Sequence, residues 1–382
     1  MLFLNITSIY LKCGVLLDKS NNFTKNQEYL NYKFKYINPE INMTYKNKVL
    51  FLFKISYFRI DDFIKSPDFE FLKNKINVIQ DFNQDKKEEE TLDQFVKNGE
   101  NSKLRNNNIK KCYYCGELTG NRELIINKLF QRQFIKLENL NELIIKGIDF
   151  LNSNKLKSFF NLPKKLVSDI INVGPGIGKV SQKNYIDLKN NLYPYIMTSG
   201  QEGISIYRVD SINSFKKIGG NSFGPSTLWS LFTISCGYED PDLAVAEAAK
   251  GNNKLIDLSV GDIYGGSYEN MSLSSDLIGS SFCKFANIDY VNKVEKKDLA
   301  KSLVILYGAT YSHVTCMVSS KENIDKVIIT GNPFYSLELF QIIQTSIGRY
   351  SNNYITSIFN DYSDFFEIIG MVIELDNLNL ID

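Results

Sequence analysis

Apolar residues recur with two different spacings along this chain, and the spacing predicts which element each segment forms. Runs of β-branched and aromatic residues at 49–57 and 193–209 predict strands. The opening at 1–17 is apolar, but four polar residues interrupt it and it has no basic leader. It therefore predicts a first strand rather than a signal peptide or a membrane span.

Helical spacing marks most of the other apolar segments. From 123 to 152 the apolar residues recur near every third or fourth position, which predicts one or two amphipathic helices. The same spacing predicts helices over 227–236, 242–250, 296 to about 317, and 334–347, with a short buried strand at 326–331. Strands and helices thus alternate, and this order favours an α/β architecture.

Length and charge narrow the function classes. A chain of 382 residues is long enough for two domains, predicted at 1–190 and 191–382. The 44 basic and 43 acidic residues leave a net charge of +1, so the chain lacks the broad basic surface expected of a nucleic-acid or membrane binder. The charged segment 84–111 has few large apolar residues and is interpreted as a solvated insertion loop in the first domain.

The cysteines raise a choice between a metal site and free thiols. Without a secretion signal we expect a cytoplasmic protein whose six cysteines are reduced. Cys112 and Cys115 form a CxxC, but no second pair accompanies them and the only histidine, His313, lies far along the chain. Two free thiols beside a turn are therefore favoured over a metal site.

The most informative stretch runs from Lys217 to Tyr268. It holds a glycine and hydroxyl turn (GGNSFGPST, 219–227), an alanine-rich segment (AVAEAAKG, 244–251) and the sequence DIYGGSY (262–268). This order resembles the eukaryotic (type II) pantothenate kinases, most clearly over 193–375. The resemblance implies an actin/hexokinase/Hsp70-like (ASKHA) kinase fold, in which two related α/β domains close over ATP. It also implies phosphorylation of pantothenate in coenzyme A synthesis, with ATP and Mg²⁺ as cofactors.

The resemblance assigns a set of nucleotide-side residues: Gly203, Gly220, Ser222, Gly224, Thr227, Gly331 and Asn332. Several neighbouring positions depart from the family. Glu202 stands where the family has a serine at the tip of a phosphate turn, and Pro225 and Ser226 replace two glycines. In the first phosphate turn, the family's Asp-Ile-Gly-Gly-Thr corresponds to residues 5–9, which read Asn-Ile-Thr-Ser-Ile.

The same resemblance assigns Ser205 to the pantothenate side and Lys217 to a substrate-binding arginine. Lysine keeps the charge of that arginine but loses its planar fork. The family's catalytic glutamate corresponds either to Glu138 or, in the likeliest register, to Asn139, which cannot accept a proton usefully. Glu142 is a further candidate, although neighbouring helix positions point about 100° apart.

Two hypotheses follow from this pattern. The first is an active pantothenate kinase with divergent turns; the second is a catalytically inactive pseudokinase subunit that scaffolds or regulates an active paralogue. Both imply a homodimer or a heterodimer, formed through the C-terminal half and notably through the helix that begins at Lys296. Pantothenate and acyl-CoA are the ligands expected from the resemblance.

Overall fold

The computed structural model describes residues 2–6, 10–18, 42–46, 48–56, 65, 90–91, 111–116, 133–154, 156–163, 182–188, 191–200, 202–268, 270, 273–286, 293–331 and 336–381. The chain forms two compact units, of which unit 1 comprises 1–151 and 365–382 and unit 2 comprises 152–364. The domains predicted at 1–190 and 191–382 differ from these units, because their boundary lies later and the last helix is assigned to the second domain.

Unit 1 is built on one seven-stranded sheet in the order β3-β4-β2-β1-β6-β7-β5. Its strands are β1 (Leu2–Ile6), β2 (Tyr10–Asp18), β3 (Asn42–Tyr45), β4 (Lys48–Ser56), β5 (Glu90–Thr91), β6 (Lys111–Gly116) and β7 (Gln133–Lys136). The first four strands pair antiparallel, and β6, β7 and β5 join beside β1 in parallel. Its helices are α1 (Leu140–Ser153) and α7 (Phe366–Asn377).

Unit 2 has a seven-stranded sheet in the order β12-β11-β10-β15-β16-β8-β9 and a small ribbon of β13 and β14. The strands are β8 (Phe159–Asn161), β9 (Asn184–Tyr185), β10 (Tyr195–Gly200), β11 (Ile204–Ser211), β12 (Ser214–Asn221), β13 (Leu258–Ser259), β14 (Ile278–Ser280), β15 (Lys326–Thr330) and β16 (Thr356–Asn360). The helices are α2 (Pro225–Leu231), α3 (Pro241–Ala248), α4 (Val260–Tyr264), α5 (Lys296–Glu322) and α6 (Leu337–Tyr350), with a π-helical turn at Phe232–Cys236 after α2.

The two sheets share one five-stranded pattern. In unit 1 the order β4-β2-β1-β6-β7 runs antiparallel, antiparallel, parallel, parallel. In unit 2 the order β12-β11-β10-β15-β16 repeats the same directions. In each sheet the hairpin β1–β2 or β10–β11 lies inside this order. A further antiparallel strand pairs with the second strand of the hairpin, and the parallel strands follow its first strand. The expectation of two related α/β domains of the actin, hexokinase and Hsp70-like class is confirmed.

Local sequence explains where several helices begin and end. Asp240 caps α3 by accepting the backbone N–H of Asp242, and Pro241 follows at the first helical position. Ser259 and Asp262 cap α4 reciprocally, so this helix begins just before the DIYGGSY sequence and includes its first three residues. The turn itself begins at Gly265, whose φ of 75° ends the helix.

Three expectations from the sequence need correction. The opening at 1–17 forms two strands, because the apolar run folds back and Leu4 pairs with Cys13. Part of the segment 123–152, predicted to be helical, is strand β7, in which Phe134 pairs with Cys112. The apolar residues of this part fit a helical and a strand spacing, and pairing with β6 makes it a strand. The insertion 84–111 contributes strand β5 at the sheet edge and the first residue of β6, so these parts are not loop.

Candidate functional site

The predicted nucleotide-side glycines converge at one edge of the unit 2 sheet. Strands β10 and β15 are parallel, with Ser199 beside Thr330, so both end at this edge. Gly200 and Gly331 follow directly. A Cβ added at Gly331, whose φ is +66°, would lie 3.1 Å from the Gly200 nitrogen. The edge lies at the carboxyl ends of parallel strands, where open α/β sheets usually bind ligands.

Two turns meet at this edge through bare backbone. A Cβ added at Gly224 would lie 2.2 Å from the Glu202 carbonyl oxygen and 2.4 Å from the Gly203 Cα. Cβ atoms at Gly203 and Gly220 would likewise lie within 3 Å of carbonyl oxygens of the facing strand, at 2.9 Å and 2.6 Å. Glycine is therefore required for the contact between the turns, whether or not a phosphate also approaches it.

The turn between β12 and α2 is ordered by its own hydrogen bonds. The Phe223 N–H donates to Asn221 Oδ1 at 2.8 Å. The Gly224 N–H and the Thr227 hydroxyl both donate to the Ser222 carbonyl oxygen, at 3.0 Å and 3.2 Å. Thr227 and Gly224 thus hold the exposed Ser222 in place. The predicted Asn332 lies outside the described residues.

Pro225 changes the donor set of this turn. It occupies the first position of α2, where a glycine would offer an N–H to an anion and proline offers none. Its ring packs 3.3 Å from where a Gly200 Cβ would lie. The turn therefore offers one N–H donor fewer than it would with a glycine at this position.

An aromatic layer from α5 backs the turn. The Tyr307 ring meets the Phe223 ring edge-on at 5.8 Å, and the Tyr311 hydroxyl forms a hydrogen bond with the Thr198 hydroxyl on β10. Both tyrosines are fully buried. Burial raises the pKa of Tyr311 in spite of that hydrogen bond, so both hydroxyls remain protonated.

Glu202, by contrast, is exposed at the tip of the β10–β11 hairpin. Its own carbonyl oxygen faces Gly224, so its backbone forms part of the contact between the turns. A carboxylate about 4 Å from a phosphate would cost about 1 to 4 kcal/mol between bulk-water and near-surface dielectrics. The tip therefore presents a negative charge beside the glycines assigned to nucleotide.

The residues assigned to the substrate lie on one face of the same sheet. Ser205 pairs with Gly220 in the ladder, and Lys217 pairs with Tyr207. Directly opposed residues share a face, as do residues two apart in a strand, so Ser205 and Lys217 lie on the same side. Lys217 is exposed and Ser205 is half-buried. Val318 of α5 packs by Gly219, on the opposite face.

The candidate bases lie in unit 1, around the start of α1. Glu138 is exposed and lies 4.0 Å from Lys136. Asn139 follows with a φ of 60° and its carbonyl oxygen accepts the N–H of Glu142 and Leu143, so it forms the turn that opens the helix. Of the two candidate carboxylates, that of Glu138 is more exposed than that of Glu142.

Glu142 is held in an ion-pair network within unit 1. Its carboxylate lies 2.7 Å from Lys146, which also contacts Glu374 of α7. Burial lowers the pKa of Lys146, but the hydrogen bonds that it donates to the two glutamates outweigh burial, so the net direction is upward. The Glu142 carboxylate is therefore already engaged by a lysine of its own helix.

Sequence reasoning missed a buried ion pair in unit 1. Lys12 Nζ lies 2.8 Å from Glu367 Oε1, and each side chain is only 1% exposed. The signal was present, because each residue is a charge within an apolar run. In the sequence, Lys12 is one of the four polar residues that interrupt the opening apolar run.

Metal binding has no support among the described residues. They contain no group of three or more His, Cys, Asp or Glu side chains that could hold a metal ion. Cys112 and Cys115 are buried and lie on strand β6. Burial raises the pKa of Cys115 well above its ordinary value, which keeps the thiol protonated. In the part of the chain that is described, no helix is both long and apolar enough for a membrane span.

Comparison with known proteins adds a family and several relatives. A family model described as Fumble matches residues 50–374. The 4'-phosphopantetheine phosphatase of Mus musculus is 30% identical over 197 residues, which cover 50% of this chain and 23% of that protein. Pantothenate kinase 1 of Arabidopsis thaliana is 26% identical over 193 residues, covering 50% of each chain. The pantothenate kinase of Schizosaccharomyces pombe is 26% identical over 182 residues, covering 47% of this chain and 45% of that protein.

This chain therefore spans about half or less of the length of the curated relatives that it matches. Among solved structures, the activator of the 2-hydroxyisocaproyl-CoA dehydratase from Clostridium difficile with bound ADPNP is similar with a TM-score of 0.43 and 9% identity. That match covers 100% of this chain and 98% of the other. Glucokinase from Balamuthia mandrillaris in complex with glucose has a TM-score of 0.39 and 10% identity, covering 97% and 92%.

Proposed function

Since the chain belongs to the Fumble family of pantothenate kinase-type proteins, we propose that it takes part in the ATP-dependent phosphorylation of pantothenate in coenzyme A biosynthesis, as one subunit of a dimer. The observation that carries the proposal is the glycine edge of unit 2. Gly203, Gly220 and Gly224 bring two turns together there, beside Gly331 at the end of β15.

The residues at this edge fit a nucleotide in part. Backbone turns without side chains suit the close approach of phosphate oxygens, and the Ser222 and Thr227 hydroxyls add polar groups beside them. When bound, ATP would supply the transferable phosphoryl group. Mg²⁺ would enter with ATP, held mainly by the phosphate oxygens and by at most one or two carboxylates of the chain.

The substrate side is assigned to the face of β11 and β12 that carries Ser205 and Lys217. The Lys217 ammonium would hold the pantothenate carboxylate, and the Ser205 hydroxyl would orient the chain of the substrate. Glu138 is the proposed base, because its carboxylate is exposed while that of Glu142 is engaged by Lys146. Its role would be to accept the proton of the attacking hydroxyl.

A second candidate is a catalytically inactive subunit that supports an active paralogue. Three observations favour it: Glu202 places a negative charge at the hairpin tip, Pro225 removes a donor, and Asn139 stands at the likeliest position of the base. In this case the chain would bind acyl-CoA or the paralogue rather than ATP alone. The aligned part covers only 23% of the phosphatase relative, so a phosphatase activity is not proposed.

The deciding experiment uses the purified full chain alone and mixed with candidate paralogues. ATP binding is measured by calorimetry and pantothenate phosphorylation by a coupled assay. Turnover by the isolated chain that falls about 10²- to 10⁴-fold in Glu138→Gln, and much less in Glu142→Gln, supports the kinase with Glu138 as base. No turnover alone, combined with a stable complex that raises a paralogue's activity, supports the second candidate. Failure of both outcomes would exclude both functions.

A further inference from the structure

Helix α5 reaches the glycine edge of unit 2 through two tyrosines that lie one helical turn apart. The Tyr307 ring meets Phe223 in the turn between β12 and α2, whereas the Tyr311 hydroxyl forms a hydrogen bond with Thr198 of β10. The centroids of the two tyrosine rings lie 6.0 Å apart, so both contacts belong to one layer. The same helix therefore contacts both the strand end and the turn that form the edge, and it does so from the buried side.

Thr198 joins α5 to both strands that end at the edge. Its side-chain hydroxyl is bonded to Tyr311, and its backbone carbonyl oxygen accepts the hydroxyl of Thr330 on β15 at 3.1 Å. All three side chains are at most 1% exposed. Hydrogen bonds are stronger in such surroundings than in water, and losing one partner leaves the other unsatisfied. Tyr311, Thr198 and Thr330 thus form a buried polar tie across α5, β10 and β15.

The glycines that follow this tie have no side chains of their own to fix them. Gly200 lies two residues after Thr198, and Gly331 directly follows Thr330. A Cβ added at Gly331 would lie 3.1 Å from the Gly200 nitrogen and 3.2 Å from the Gly200 carbonyl oxygen, so the two backbones meet closely. Because glycine is conformationally permissive, its position depends on what anchors the residues beside it. The tie supplies that anchor within two residues of each glycine.

We propose that Tyr311 is a positioning residue for a phosphate-bearing ligand: through Thr198 it holds the ends of β10 and β15, and with them the Gly200 and Gly331 backbones, in the arrangement that receives phosphate oxygens. Small displacements of binding groups are costly, so the groups that support them matter as much as those that touch the ligand. Tyr311 is buried and acts through Thr198. The inference rests on the proposed function for the identity of the ligand, a nucleotide, and ATP is the probe.

Tyr311→Phe in the full chain keeps the ring and removes only the hydroxyl. ATP affinity measured by calorimetry should fall about tenfold, because the glycine backbones lose their anchor. Thr198→Val removes the other hydroxyl of the pair and should give the same loss. In the double variant Tyr311→Phe/Thr198→Val the loss should stay within about twofold of either single loss, because the same bond is broken. Additive losses, or no loss in a chain that binds ATP, would overturn the proposal.

Two further variants separate positioning from general stability. Ser312→Ala removes a buried hydroxyl from the next position of α5, where it donates to the carbonyl oxygens of Gly308 and Ile343 at 2.7 Å and 3.1 Å. Its melting temperature should fall as that of Tyr311→Phe does, while its ATP affinity stays within about twofold of that of the unchanged chain. Thr198→Ser keeps the hydroxyl and should keep the affinity. Equal loss of affinity in Ser312→Ala and Tyr311→Phe would mean that stability alone decides.

Hydrogen exchange without ligand separates this inference from the nucleotide function. Backbone amides in peptides that contain Gly200 or Gly331 should exchange about tenfold faster in Tyr311→Phe and Thr198→Val than in Ser312→Ala. If the unchanged chain does not bind ATP but these amides respond, Tyr311 still positions the edge and the nucleotide function fails. Equal exchange in the three variants overturns the positioning role even if ATP binds. If Tyr311→Phe does not fold, Thr198→Val decides by the same criteria.

Discussion

The two hairpins of the repeated sheet pattern differ in how each holds its acid. At the β10–β11 hairpin of unit 2, Glu202 is exposed beside glycine turns. At the β1–β2 hairpin of unit 1, Glu367 reaches Lys12 from helix α7, and both side chains are buried. One acid repels whatever anion approaches, whereas the other is already bound to the protein's own cation.

The difference teaches that a fold can be retained while its two equivalent edges change chemically in different ways. In unit 2 the close backbone approaches at Gly203, Gly220 and Gly224 keep the turns in place, so a changed side chain at the exposed tip is expected to leave their packing intact. In unit 1 the change is part of the packing of α7. Altering the acid there is therefore expected to lower the stability of unit 1.

The largest expected effect comes from breaking the packing that fixes Glu367. In Gly370→Ala the new Cβ would lie 1.9 Å from the Leu143 carbonyl oxygen, so α1 and α7 must move apart. We expect a loss of about 3 kcal/mol in the free energy of unfolding, typical of overpacking against backbone. Urea unfolding followed by circular dichroism measures it, and the fluorescence of Trp229 follows unit 2 separately.

Gly348→Ala is the matched control for that change. Gly348 is also helical, but the nearest atom to its added Cβ is the Asn353 side-chain oxygen at 3.1 Å, which can rotate away. Replacing a helical glycine by alanine gains up to about 1 kcal/mol when nothing clashes. Equal destabilisation by both changes would contradict the backbone contact between α1 and α7.

The next largest effect is expected at the β10–β11 hairpin of unit 2. Glu202→Ser removes the exposed negative charge at the hairpin tip and should strengthen ATP binding about tenfold, which corresponds to about 1.4 kcal/mol. Calorimetry at low ionic strength measures the change. Glu239→Ser removes the same charge from an exposed position outside the glycine turns and should leave the affinity within about twofold, because salt screens exposed charges. Equal gains in both variants would point to net charge rather than to this turn.

Much of the fold could be predicted from the sequence, because apolar period and end signals agree for most elements. The helix at 242–250 has an aspartate cap and a proline at its start, and it forms as Pro241–Ala248. The helix from Lys296 was predicted to end near 317 but continues to Glu322, since its last turns keep packing until Asn323 ends it with a φ of 53°. Strand β7 was missed because it is defined by pairing with β6, a contact that no local pattern carries.

The candidate site was predicted less completely. The glycines of unit 2 could be found because a turn motif keeps them close in sequence. That Gly224 packs against Glu202 depends on two turns twenty residues apart, which spacing alone does not reveal. Lys12 and Glu367 are farther apart still, at opposite ends of the chain, and each alone resembles a solvated charge. The roles of Glu138, Ser205 and Lys217 stay predictions.

A smaller effect compares two buried tyrosines behind the glycine edge. The Tyr311 hydroxyl forms a hydrogen bond with Thr198, whereas in the described part of the chain the Tyr307 hydroxyl has no partner. Tyr311→Phe should therefore cost about 1 kcal/mol of stability, and Tyr307→Phe should cost nothing or stabilise slightly. Thermal unfolding of the two variants measures the difference. The reverse order would contradict the hydrogen bond that ties α5 to β10.

The smallest expected effect is the pH dependence of stability contributed by two acids of unit 2, the partly exposed Asp262 and the buried Asp257. Asp262 is 38% exposed and pairs with Lys284. Burial opposes ionisation, but hydrogen bonds from Lys284 and Ser259 outweigh it and lower the pKa of Asp262 to about 2. A folded-state pKa below the unfolded value means that its stabilisation is present above about pH 4 and is lost as the pH falls towards about 2.

The pKa of Asp257 is shifted in the opposite direction from that of Asp262. It is buried, and burial raises its pKa although Phe282, Asn253 and Ser302 all donate hydrogen bonds to it. Its contribution is therefore greatest below the unfolded pKa and declines as the pH rises through the folded pKa. Asp262→Asn should lower the free energy of unfolding by about 0.5 kcal/mol near pH 6 and by less near pH 2.5, because an exposed ion pair contributes little. Melting temperatures measured across this pH range follow the change. Compared with the unchanged chain, Asp257→Asn should become less stable as the pH falls. Parallel pH profiles for the two variants would mean that exposure does not decide how these acids act.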